Sequence, residues 1–122
     1  MTDRVIVLAQ DLIWADRLAR AVEAAGAEPV PVGSLDRLPG VLPGATAAIV
    51  DLTALAYDGI AAIEAARAGA VRVLAVGQHD NHELRKRALA AGAERVYAYR
   101  KLFEDGPATI AAFLERSAPV GS

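Results

Sequence analysis

Four times the chain passes through Gly-Ala immediately before an apolar run, at Gly26-Ala27, Gly44-Ala45, Gly69-Ala70 and Gly92-Ala93. Three of these joins follow alanine-rich, charge-flecked stretches of helical period, AVEAAG, AIEAARAG and RALAAG. Glycine just past a helix can take the left-handed conformation that closes the last turn. Helix, glycine, strand, repeated, confines the chain to an α/β architecture with a parallel sheet. At 122 residues there is room for one domain with a single core and not for two. We expect that domain over residues 1–117, with 118–122 as a flexible tail.

The periodicity predicts strands at Val5–Ala9, Glu28–Val32, Ala47–Val50, Val71–Val76 and Val96–Tyr99. Helices are predicted at Leu12–Ala25, with an inner stripe of Trp14, Leu18, Val22 and Ala25, and from after Asp58 to Ala68. A short one near Leu35–Leu38 should end at Pro39-Gly40, another should span His82–Ala91, and the last should run from Pro107 to near Arg116.

The strands differ in a way that orders them. VIVLA, AAIV and VLAV carry no polar interruption, as strands buried on both faces should. Strand 2 contains Pro29 and Pro31, whose missing N–H groups confine it to a sheet edge. Strand 5 is bracketed by Arg95, Arg100 and Lys101, a common protection of an edge. Edges at 2 and 5 fit a flavodoxin-like three-layer αβα fold, a five-stranded parallel sheet in order 2-1-3-4-5. Its crevice lies at the carboxyl ends of strands 1 and 3, where AAIV runs into a lone carboxylate, Asp51. Such a residue could be a phosphate acceptor, a metal ligand, or a polar cap where a strand surfaces.

Composition removes several functions. Apolar residues make up 54% of the chain and formal net charge is −2, so neither disorder nor a nucleic-acid or membrane surface is expected. The run Arg85-Lys86-Arg87 reads as the solvated face of a helix. With no cysteine there are no disulfides, thiolate zinc sites or cysteine nucleophiles. The apolar run after MTDR is too short for a signal peptide or membrane span, and a cytoplasmic location is expected by default.

With five βα units in this order and DLTALAYDG after strand 3, the chain resembles the receiver domain of bacterial response regulators. The resemblance puts Asp51 at the phosphoacceptor position and Asp58-Gly59 at the acidic-glycine pair opening helix 3. AAGAERVYAY is similar to the family's approach to strand 5. It also exposes departures. The two acids that hold Mg²⁺ at the end of strand 1 in the family fall on Ala9 and Gln10. Asp11, one residue late, reads as the N-cap of helix 1. The hydroxyl residue ending strand 4 is Gly77, and Leu55 stands where the family has proline. The family's lysine-proline after strand 5 falls on Tyr99-Arg100 by an ungapped count. Two extra residues would instead bring Lys101-Leu102-Phe103 into register.

Phosphorylation of a carboxylate needs a cation to neutralise the incoming phosphoryl oxygens. Asp51 is therefore read as a vestigial phosphoacceptor position, a carboxylate that ends a buried strand and bonds the amides of the loop after it. Gln10, Asp11, Thr53, Gly77, Gln78 and Lys101 are expected around the crevice. His79, Asp80 and His82 are metal-capable types, but the chain has only two histidines. Asp80 with Glu83 reads as a capping-box-like start of helix 4, so no metal is expected. No GxxxxGK[ST], GxGxxG or GxSxG motif occurs, and neither enzyme activity nor a cofactor is expected.

The reading is a stand-alone pseudo-receiver that works through protein contacts without aspartyl phosphorylation. The alternatives are a small-ligand-binding sensor of the same fold and an atypical phosphorylated response regulator. An unknown protein partner or a homodimer is expected on the face built from helix 4, strand 5 and helix 5. Arg85, Arg87, Tyr97, Tyr99, Arg100 and Phe103 lie there, types that interface hot spots favour.

Overall fold

A computed structural model describes residues 3–54, 57–78 and 80–115. Strands β1 (Arg4–Leu8), β2 (Glu28–Val32), β3 (Ala47–Asp51), β4 (Arg72–Gly77) and β5 (Arg95–Ala98) form one parallel sheet in the order β2-β1-β3-β4-β5. The helices are α1 (Leu12–Ala24), α2 (Leu38–Val41), α3 (Gly59–Ala68), α4 (His82–Ala91) and α5 (Tyr99–Glu115). This is the flavodoxin-like order expected, with the proline-bearing β2 and the charge-flanked β5 at the edges.

Alternation along the central strands sorts their side chains into two layers. Ile6, Leu8, Ala48, Val50, Val73 and Ala75 pack with Ile63 and Ala66 of α3 and Ala88 of α4. Val5, Val7, Ala47, Ile49, Leu74 and Val76 pack with Leu18 and Val22 of α1 and Ile110 and Phe113 of α5. The run Ala47, Ile49, Asp51 therefore aims the carboxylate toward the α1–α5 side. One polar clamp braces that side from below. Arg72 donates to both carboxylate oxygens of Glu94 (2.7 and 2.8 Å) and to the Phe113 carbonyl (3.1 Å). Its guanidinium also lies 4.2 Å from the centre of the Phe113 ring.

Several local expectations are corrected. β1, β4 and β5 each begin one residue earlier or later than the periodicity suggested, and Tyr99 opens α5 instead of closing β5. Pro39-Gly40 does not end the short second helix. A 3₁₀ turn over Leu35–Arg37 leads into α2, which carries Pro39 in its first turn, where a missing N–H costs nothing. The cap of α4 is Asn81, whose side chain accepts from the Leu84 amide at 3.1 Å, and not Asp80. The last helix starts before Pro107 but is broken at Asp105 (φ −142°, ψ 34°), so Pro107 opens its regular part. Gly26 and Gly92 have positive φ as expected, and Gly44 does too, yet at the third join Ala70 takes that conformation and Gly69 does not. His79 and Leu55 lie outside the described residues, as do Arg116 and the expected tail.

Candidate functional site

Asp51 ends β3 with 4% of its surface exposed. Its Oδ1 accepts from the Thr53 amide (3.0 Å), the Thr53 hydroxyl (2.9 Å) and the Tyr99 hydroxyl. Each hydroxyl has a single proton and directs it to Asp51, so the carboxylate gathers the Thr53 and Tyr99 side chains about one oxygen. The loop after β3 thus folds back on its own carboxylate, as an Asx turn does. Tyr99 comes from two strands away. Val96 faces the α3–α4 layer while Tyr97 and Tyr99 pack on the α1–α5 layer that Asp51 also faces. Burial, followed by the hydrogen bond to Asp51, pushes the Tyr99 hydroxyl well above the usual tyrosine range. It stays protonated and donating.

The Trp14 ring packs edge-on against Tyr99, with centroids 4.9 Å apart at 75°. Trp14 is positioned by Asp11, whose Oδ1 accepts from the Trp14 amide at 2.9 Å and so caps α1. On the other side of β3, the Tyr57 hydroxyl reaches the carbonyls of Leu8 and Asp51.

Two clefts open here, sharing Asp11, Asp51 and Thr53. One, of about 450 Å³, is completed by Gln10 and Ala54. The other, of about 300 Å³, is completed by Trp14 and Tyr99. Asp51, Gln10, Asp11 and Thr53 are thus brought together. Gly77, Gln78 and Lys101 are not among the described residues that line either cleft. A Cβ added to Gly77 would meet the Leu52 side chain at 3.3 Å, on the opposite layer from Asp51. Gln78 is exposed, and its carbonyl accepts from the Asn81 amide at the start of α4. Lys101 pairs with Asp105 within α5, at 3.6 Å. Lys101 is therefore turned away from Asp51, and Tyr99, which the ungapped count from Gly92 reaches, stands over the carboxylate.

The expected contact face also divides. Arg85 and Tyr97 share a cleft of about 420 Å³ with Leu89, Glu94, Arg95 and Val96 on the α4–β5 edge. Phe103 instead packs under the guanidinium of Arg17 in α1, 4.0 Å from its ring centre. Arg100 pairs with Glu104 at 3.3 Å, and Arg87 is exposed on α4. Tyr99 belongs to the crevice. Among the described residues no three His, Asp or Glu side chains group as a metal site, and no helix is long and apolar enough to cross a membrane.

Tyr57 and the crevice role of Tyr99 escaped the sequence reading. Tyr57 gives no signal inside a loop of mixed composition. Tyr99 did, since the ungapped count from Gly92 reaches it at the end of strand 5 beside the crevice.

No family model and no curated protein matches this chain in sequence. Solved structures match it in shape. A response regulator receiver domain protein (CheY-like) from Methanospirillum hungatei JF-1 shares 18% identity, over 96% of this chain and 97% of its own, with a TM-score of 0.78. A two-component response regulator from Clostridium difficile shares 13%, over 97% and 100%, with a TM-score of 0.83. One of the LuxR family from Aurantimonas sp. SI85-9A1 shares 21%, over 95% and 87%, with a TM-score of 0.80. The fold of this chain is that of response regulator receiver domains.

Proposed function

We propose that this chain is a signalling module of receiver type that operates by protein contact, without enzyme activity and without phosphorylation of Asp51. The observation that carries the reading is the occupied state of Asp51 Oδ1, which already accepts from Thr53 twice and from Tyr99. Attack on phosphorus from the other oxygen would still need cations in place for the phosphoryl oxygens. Here the nearest residues at the end of β1 are buried, apolar Ala9 and neutral Gln10, while Asp11 spends one oxygen capping α1. Tyr99 supplies a neutral hydroxyl where a cation would be needed.

The contact surfaces we assign are the α4–β5 cleft with Arg85 and Tyr97, and separately the exposed Phe103 beside Arg17 and Arg100. The two clefts at Asp51 support a second reading, a small-ligand sensor, because together they offer carboxylate, amide and aromatic groups.

Trp14 reports on the site through its contact with Tyr99. Titration with millimolar Mg²⁺ and beryllofluoride should leave Trp14 emission unchanged. A saturable, Mg²⁺-dependent change that disappears in Asp51→Asn would overturn the reading in favour of a phosphorylated receiver.

A further inference from the structure

The segment from Tyr99 to Glu104 is helical but does not continue into the rest of α5. Asp105 leaves helical geometry, and Pro107 has no N–H to return a bond across the break. A Cβ added to Gly106 would stand 3.2 Å from that of Ala21, so the chain just after the break is pressed against α1. Within the segment the charges are satisfied locally, by Arg100 with Glu104, and by Lys101 with Asp105 at the break itself. Arg100, Lys101, Phe103 and Glu104 are all exposed. Among the described residues, three side chains of the segment hold it to the body beyond its join to β5. Leu102 is buried in the α1–α5 layer, Phe103 lies under Arg17, and Tyr99 bonds Asp51 while packing on Trp14.

We propose that Tyr99–Glu104 is a hinged arm, latched by the Tyr99 hydroxyl on Asp51, that couples the crevice to the α1–α5 surface. With the latch closed, Asp51 Oδ1 is engaged and Phe103 is seated beside Arg17. With it open, the segment rotates between its fixed join to β5 at Ala98 and the break at Asp105, Asp51 loses one donor, and Phe103 leaves Arg17. Any event that competes for Asp51 Oδ1 thereby alters a surface carrying Leu12, Ile13 and Phe103, which are 83%, 82% and 60% exposed. The coupling is reciprocal, since a partner that takes Phe103 also weakens the latch.

The inference deepens the reading above and rests on Asp51 being hydrogen-bonded and unphosphorylated. Native-state trypsin cleavage of the full chain tests it. Arg100 and Lys101 lie in the arm, and Arg85, Lys86 and Arg87 of α4 are an internal control. Cleavage of a folded chain follows the population of the locally open form. Tyr99→Phe keeps the ring and removes the latch, and should speed cleavage at Arg100 and Lys101 about tenfold, the scale of one hydrogen bond to a charged acceptor. Cleavage in α4 should be unchanged. Asp51→Ala removes the other half of the latch and should give the same pattern, which keeps the test available if either variant folds poorly. An unchanged rate at Arg100 and Lys101, or an equal rise in α4, would overturn the proposal. Proteolysis reads the arm whether or not beryllofluoride binds, so failure here and failure of the signalling reading are told apart.

Discussion

The Tyr57 hydroxyl stands 2.8 Å from the Asp51 carbonyl and 2.9 Å from that of Leu8, joining the carboxyl ends of β3 and β1 through one side chain. Its ring is buried in the α3–α4 layer. Burial first, and then the nearby Asp51 charge, push this hydroxyl well above the usual tyrosine range, so it remains a donor. Tyr57→Phe retains the packing and leaves two strand-end carbonyls to share whatever donors remain. We expect a loss of about 1–2 kcal/mol, the cost of a buried acceptor left unpaired. Urea denaturation measures it, and an unchanged midpoint would show that the carbonyls find other partners.

Asp51→Ala removes the acceptor shared by the Thr53 amide, the Thr53 hydroxyl and the Tyr99 hydroxyl. Against this, it also relieves the chain of a carboxylate buried beside apolar strands. Three donors on one oxygen favour the first effect. Stability should fall by on the order of 1–3 kcal/mol, and Asp51→Asn, which keeps an oxygen there, should cost less. A thermal melt decides. A higher midpoint in the alanine variant would mean that the carboxylate is held at a cost to the fold, and weight would pass to the ligand-binding reading.

Ala70 is the one described residue other than glycine with positive φ, at 61°. The closing bonds explain why. After α1, the Ala27 amide bonds Val22 and the left-handed residue between is Gly26. After α4, the Ala93 amide bonds Ala88 and the left-handed residue is Gly92. After α3, it is the Val71 amide that bonds Ala66, so the equivalent position falls on Ala70, and Gly69 sits one place too early. A side chain in this conformation costs about 1–2 kcal/mol relative to glycine, partly offset by the greater freedom of glycine in the unfolded chain. Ala70→Gly should therefore stabilise the domain by about 0.5–1 kcal/mol. No change in a chemical melt would mean that the Ala70 methyl has contacts that compensate.

That misplaced glycine marks how far the sequence could be read. The joins, the two prolines of β2 and the unbroken apolar runs sufficed for element order and strand order, because each rests on a local rule. Which of two adjacent residues closes a helix depends on where its last hydrogen bond falls, and composition does not record this. The crevice was legible to the same depth. Asp51, Gln10, Asp11 and Thr53 could be grouped because they follow directly on strand ends. Lys101 and Phe103 could not be positioned, because the chain turns into α5 at Tyr99 instead of extending β5, and each residue beyond then rotates by a helical step. Phe103 is thereby carried round to Arg17, away from the Arg85 side.

The Arg72–Glu94 clamp gives the fold an acid-sensitive component. The hydrogen bonds from Arg72, with burial opposing them, hold the Glu94 carboxyl below the usual glutamate range. A carboxyl lowered in the folded state contributes stability above its unfolded pKa, and that contribution disappears as pH falls through its folded value. At neutral pH the clamp is complete and joins β4, the residue before β5, and the Phe113 carbonyl of α5. In acid, Glu94 takes up a proton and Arg72 keeps only Phe113. Because Glu94 is 39% exposed, solvent screens the pair and the effect should be modest. Glu94→Gln removes the charge at every pH. Its melting temperature should lie below that of the native chain near pH 7, and the two should converge below about pH 4, under the ordinary glutamate value. Parallel curves across that range would show that the pair contributes through packing on Phe113 alone.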